Sequence, residues 1–241
     1  MSNRPMTVIT VVSEGFMENA FVVGSKEGSR CVVIDPGLEP GKIIAAIERA
    51  ERTPDAFLAT HGHYDHIGGL GELKQRWPDA QIMVGREDAT KLTDPEKNLS
   101  ASFAFPSVAP EADRLLDEGD TFGAGGLQWR VRFTPGHSCG HVVFEAYVPN
   151  NDVENTENVD LEGKPLVDVD LAAVFVGDLI FANSVGRTDF ADGDFEQLEE
   201  SIRQKIYTLP EKTVLYPGHG LPTTSGRERR TNPFVQGKNV S

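Results

Sequence analysis

The chain has 241 residues, 39% of them hydrophobic, enough to build a substantial core, and a single α/β domain over residues 1–241 is expected. Its formal net charge of −14 argues against nucleic acid as a partner, because binding a phosphate backbone needs concentrated Lys and Arg. No stretch reaches membrane-spanning length, the apolar run at 7–12 lacks a cleavage pattern, and only Cys31 and Cys139 are present, so a reducing cytoplasm is the expected setting.

In chain order, short apolar, β-branched runs predict strands at 8–12, 21–23, 31–34, 57–59, 82–84, 127–133, 142–148, 174–176 and 214–216. Ile43, Ile44, Ile47 and Ala50 keep helical spacing ahead of Pro54, and a shorter helix is expected from near Ile67 to just before Pro78. Residues 92–111 have no period and predict a loop over the site. Asp152, Glu154, Glu157, Asp160, Glu162, Asp168 and Asp170, offset nearby only by Lys164, mark an acidic surface insertion at about 150–170. Phe195, Leu198, Ile202 and Ile206 mark a further helix, with Asp194 and Gln197 as its capping box. The strands are too many and too closely spaced at the start for a simple doubly wound sheet, so two sheets flanked by helices are expected.

All six histidines lie in three segments, THGHYDHIGG, TPGHSCGH and YPGHG. Four apolar strands also end in a candidate ligand: FLAT before His61, VRFTPG before His137, VFVG before Asp178 and VLYPG before His219. Ends of neighbouring strands emerge along one sheet edge, where loops can aim side chains at a common point. Imidazole suits zinc, and iron or manganese are alternatives, while a carboxylate can bridge two cations. His61, His63 and His137 are expected to hold one divalent metal and Asp65, His66 and His219 a second, with Asp178 bridging. Asp65 and Asp178 would orient a metal-bound hydroxide, since such sites lower the pKa of bound water to roughly 7. A purely structural zinc would favour four closed, often thiolate ligands.

His141 follows His137 by one helical turn's spacing and is expected to support or pack against the ligands. Arg187 is either a carboxylate binder or the partner of Asp189, and Arg227, Arg229 and Arg230 read as a solvated or salt-bridged terminal segment. Tyr64 and Tyr216 stand beside ligands and can serve as oxyanion donors or as packing. Cys139 reads as a small buried residue, with a redox-sensitive thiol as the alternative.

Taken together, THGHYDHIGG, TPGHSCGH, the Gly177–Asp178 pair and YPGHG resemble the metallo-β-lactamase superfamily. FANSVGRTDFADGDF and GRERRTNPF make the chain similar to small bacterial glyoxalase II-like hydrolases, over about Thr7 to Phe234 with the acidic insertion unmatched. The resemblance implies a four-layer αββα sandwich, a dinuclear site on its edge, and hydrolysis of a small acyl thioester of the hydroxyacylglutathione type. Asp178 separates the chain from those zinc β-lactamases that carry cysteine at this position, which disfavours a true lactamase. Full-length glyoxalase II enzymes add a C-terminal helical region that helps to bind glutathione; here only residues 220–241 follow His219, and glutathione recognition would have to be built otherwise. Iron-dependent persulfide dioxygenases share the ligands and a similar GRTDF segment. A non-catalytic, metal-stabilised binding module is the alternative from another class, and the intact ligand set argues against it.

Overall fold

A computed structural model describes residues 6–103, 105–149 and 169–237, so all but the last two residues of the acidic insertion lie outside the described part. The first half forms β1 (Met6–Val12), β2 (Asn19–Ser25), β3 (Arg30–Ile34), α1 (Pro40–Arg49), β4 (Thr53–Ala59), α2 (Tyr64–Ile67), α3 (Leu70–Arg76), β5 (Gln81–Gly85) and β6 (Arg114–Leu116). Its strands make one six-stranded sheet in sequence order, antiparallel from β1 to β3 and parallel from β3 to β6. The parallel pairs need crossovers, and α1, α2 and α3 supply the first two.

The second half adds β7 (Thr121–Ala124), β8 (Leu127–Phe133), β9 (Val142–Pro149), β10 (Val169–Gly177), β11 (Ile180–Phe181), β12 (Ser184–Val185), α4 (Phe195–Ser201), β13 (Val214–Pro217), β14 (Thr223–Thr224) and α5 (Ser225–Thr231). Its sheet runs β14-β13-β10-β9-β8-β7, with β11 and β12 as a separate small ribbon. A π-helical turn over Ile202–Ile206 continues α4 and completes the crossover between the parallel strands β10 and β13.

Side-chain alternation shows why two sheets face each other. In β2 and β3, Phe21, Val23, Val32 and Ile34 meet Trp129, Val131, Phe144 and Phe175 of the other sheet in a shared core. The intervening Ala20, Val22, Cys31 and Val33 are just as buried, but against Ile43, Ile47, Leu70 and Leu73 of the helices. On the far side, Val174, Val176 and Leu215 pack on Leu198, Ile202 and Ile206. Both faces of each sheet are therefore covered, which gives the helix–sheet–sheet–helix layering.

Every predicted strand and both longer helices are present, and Asp194 accepts from Gln197 N at 3.0 Å as the cap of α4. The short helix after the HGHYDH segment differs from expectation: it begins at Tyr64 and is split into α2 and α3. At the break Gly69 N donates to Pro36 O at 2.8 Å in place of a carbonyl of α2, and a Cβ on Gly69 would lie 2.4 Å from Gly37 O.

Candidate metal centre

The strand ends that carry candidate ligands come from both sheets. β4 leads through Thr60 into His61, and His63 sits at the N-terminal cap of α2, which displays Asp65 and His66. β8 leads to His137, β10 to Asp178 and β13 to His219. Ligand atoms of His61, His63 and His137 lie within 4.8 Å of one another, as do those of Asp65, His66 and His219. Asp178 spans the two triads: Oδ1 is 3.4 Å from His66 Nε2, and Oδ2 is 3.7 Å from His137 Nε2 and 3.6 Å from His219 Nε2. Gly218 permits this approach, since a Cβ there would come within 2.3 Å of Asp178 Oδ1.

The donor set fits divalent cations. His61 Nε2, His63 Nε2, His66 Nε2 and Asp178 Oδ1 are buried without a hydrogen-bond partner among the described residues, a condition native interiors rarely leave uncompensated. Burial, followed by the neighbouring imidazoles, pushes His61 and His63 well below the usual imidazole range, which keeps them in the neutral form that ligates. Burial also opposes charge on His66 and His219, but the Asp65 and Asp178 carboxylates outweigh it and raise both.

The supporting contacts orient each ring. Asp35, buried just after β3 at φ 47°, accepts from Thr60 N at 2.7 Å and Thr60 Oγ1 at 2.8 Å, and faces His66 Nδ1 at 3.2 Å. Thr60 thus has its hydroxyl proton committed and accepts from His61 Nδ1 at 3.1 Å, leaving the Nε2 lone pair free for a cation. His137 Nδ1 donates to Arg187 O at 2.8 Å, which turns its Nε2 towards His63 Nδ1 at 3.0 Å. Asn19 Nδ2 donates to Pro217 O and Gly220 O and ties down the turn carrying His219. Glu18 beside it is wholly buried, with neither carboxyl oxygen hydrogen-bonded among the described residues; burial, the largest influence, raises its pKa well above the usual value.

A second network joins the ligand loops from behind. Asp88 accepts from Gly62 N at 2.7 Å, Gly140 N at 2.8 Å and Ser138 Oγ at 2.6 Å, so one carboxylate holds the loops of His61, His63 and His137. The buried Lys91 ammonium lies 3.2 Å from Asp88 and 2.6 Å from Asp192 and also donates to Ser138 Oγ. None of Asp35, Thr60, Asn19, Glu18, Asp88 and Lys91 was expected to support the site. The signal for Asp35 was present as a further strand ending, VVIDPG, and that for Glu18 and Asn19 as a polar pair opening an apolar strand.

A cavity of about 430 Å³ opens before the donors. Tyr64 and Arg187 line it, and Asn98, Leu99 and Phe103 bring the 92–111 segment over it as expected. Arg187 pairs with Asp189 at 2.8 and 2.9 Å. Tyr216 does not line the cavity: it lies in the core between the sheets, stacked on Phe175 at 5.0 Å, so its position favours packing over oxyanion donation. His141 is buried behind His61, its Nδ1 2.9 Å from Thr134 Oγ1, and belongs to neither donor triad. Cys139 is exposed rather than buried, because its loop turns outward between Ser138 and Gly140. Arg227, Arg229 and Arg230 form α5 and pair with Glu228 or Glu211.

The profile described as Metallo-beta-lactamase superfamily matches residues 14–150. The chain belongs to the metallo-β-lactamase superfamily. Within it, the chain is 34% identical over 220 residues to the probable metallo-hydrolase YqgX of Bacillus subtilis, covering 91% of this chain and 92% of that one. It is 31% identical over 235 residues to the hydroxyacylglutathione hydrolase GloC of Haemophilus influenzae, covering 97% and 100%. Among solved structures, BLEG-1, described as a B3 metallo-beta-lactamase, superposes with TM-score 0.80 at 30% identity over 95% of this chain and 99% of that one. TTHA1623 in a di-iron-bound form gives 0.73 at 35%, covering 95% and 100%, and ETHE1 from Myxococcus xanthus 0.72 at 25%, covering 96% and 85%. The two facing sheets with outer helices are the fold these metallo-β-lactamase superfamily members share with this chain.

Proposed function

We propose that this protein is a metal-dependent hydrolase that cleaves an acyl thioester. The observation that carries the reading is the convergence of seven donors, with four of their atoms buried and unpartnered, at the floor of a substrate-sized cavity. His61, His63 and His137 would hold one divalent cation and Asp65, His66 and His219 the other, with Asp178 between them. Zinc suits these nitrogen and oxygen donors, and the di-iron form of TTHA1623 keeps iron in view. Bound there, the cations would polarise a carbonyl and make a water nucleophilic near neutral pH.

The chain's own groups do the rest. Asp65 and Asp178 are the carboxylates among the donors and orient the attacking oxygen. Asp35 and Thr60 hold the rings in register, and Phe190, edge-on to His63 at 4.9 Å and His137 at 5.5 Å, shields that flank from water. The two free cysteines suit a reducing compartment, and no helix among the described residues is long and apolar enough to cross a membrane.

The GloC relative makes S-lactoylglutathione the natural first substrate, alongside a simple acyl-N-acetylcysteamine. Metal-free protein should be inactive, and thiol release should appear on adding zinc; no turnover of any thioester by the loaded protein would overturn the reading. A persulfide dioxygenase is the second reading, favoured by the likeness to ETHE1. Iron in the purified protein and oxygen uptake with glutathione persulfide would establish it instead. The likeness to BLEG-1 places a β-lactam in the same assay series.

A further inference from the structure

Apart from the donors, the cavity walls are mainly aromatic. Phe190 lies against the first triad, Phe181 is edge-on to His219 of the second at 6.0 Å, and Phe16 packs edge-on against Phe103 at 5.1 Å. A carbonyl seated over the donors would therefore have rings beside both of its substituents. Phe103 remains half exposed, so this wall has apolar area still to be covered by a ligand.

The charges on the wall agree with the rings. Among the described residues lining the cavity, Arg187 is the only Lys or Arg. Its guanidinium is already engaged by both carboxylate oxygens of Asp189 and lies over the Phe190 ring at 4.9 Å. A glutathione thioester brings two carboxylates and an ammonium group. Setting these against phenyl rings strips their water without supplying partners, whereas an apolar substituent gains from the same contact.

Building on the thioester-hydrolase reading, we propose that the preferred substrate carries a bulky apolar or aromatic acyl group on an uncharged thiol arm. The aromatic wall selects the acyl group, and the absence of an unpaired Lys or Arg among the described lining residues selects against a charged carrier.

The test is a panel of four thioesters, phenylacetyl and lactoyl each on N-acetylcysteamine and on glutathione, assayed with the zinc-loaded protein. S-phenylacetyl-N-acetylcysteamine is expected to show a kcat/KM at least about tenfold above either lactoyl thioester, and above S-phenylacetylglutathione. Phe103→Ala and Phe16→Ala are expected to cut the phenylacetyl-to-lactoyl preference by about tenfold while zinc content stays that of the parent. Preference for the glutathione carrier with both acyl groups, or for lactoyl on either carrier, overturns this inference and leaves thioester hydrolysis standing. Hydrolysis of none of the four removes the thioester reading, and this inference with it.

Discussion

Asp88 touches no proposed ligand side chain, yet it holds the backbone on both sides of the first triad through Gly62 and Gly140. Asp88→Asn replaces an acceptor with a donor facing N–H groups. Stepwise zinc titration should show the first site weakened by about 10–100-fold with the second nearly unchanged. Asp178→Ala should weaken both sites, because Asp178 faces both triads, whereas His141→Ala should keep both metals and lose activity only in part. Equal metal loss in Asp178→Ala and His141→Ala would show the ligand assignment to be wrong. The ligand candidates were legible because histidines cluster visibly at strand ends. Asp88 was not, because an aspartate in a polar turn looks like any solvated one until the fold brings Gly62 and Gly140 to it.

At the scale of elements, apolar alternation and helical spacing revealed the strands and helices that pack on both faces. They missed what is short or lacks an apolar pattern. β6 has three residues, β14 two, and α5 consists largely of charged residues started by the Thr224 cap, which accepts from Arg227 N at 3.3 Å. One tie between elements has a pH signature. Asp113 accepts from Lys74 Nζ of α3 at 2.9 Å and from Ile82 N of β5 at 2.7 Å. Partial burial opposes its charge, but these two donors outweigh it and hold its pKa below the usual value. A depressed carboxyl stabilises the fold above the unfolded pKa of about 3.9 and loses that contribution as pH falls through the lower folded value. Asp113→Asn should therefore lower the urea midpoint at pH 7, and the gap should close towards pH 3; a gap constant with pH would refute the linkage.

Across the whole molecule, three apolar clusters hold the layers together without drawing on the donor residues. Chelation should thus leave the far-UV circular dichroism spectrum intact. Tm should fall by about 5–15 °C, the range given by roughly 3–4 kcal/mol of linkage at a 100–1,000-fold ligand excess over Kd. Added zinc should restore it, and unchanged melting would mean that no metal had been bound. The layered architecture was readable from strand count and spacing, and its match to the superfamily followed from the histidine segments. The cavity walls were not readable, because Phe16, Phe103, Phe181 and Phe190 lie far apart in sequence with no shared period.

Each proposed cation site draws donors from both sheets: His61 and His63 await His137, and Asp65 and His66 await His219. A chain emerging from the ribosome therefore cannot complete its second site until residue 219 is available, after nearly all of both sheets has been synthesised. Loading of both proposed sites would then report a completed chain, and truncated chains that stop short of His219 would lack a donor of the second site.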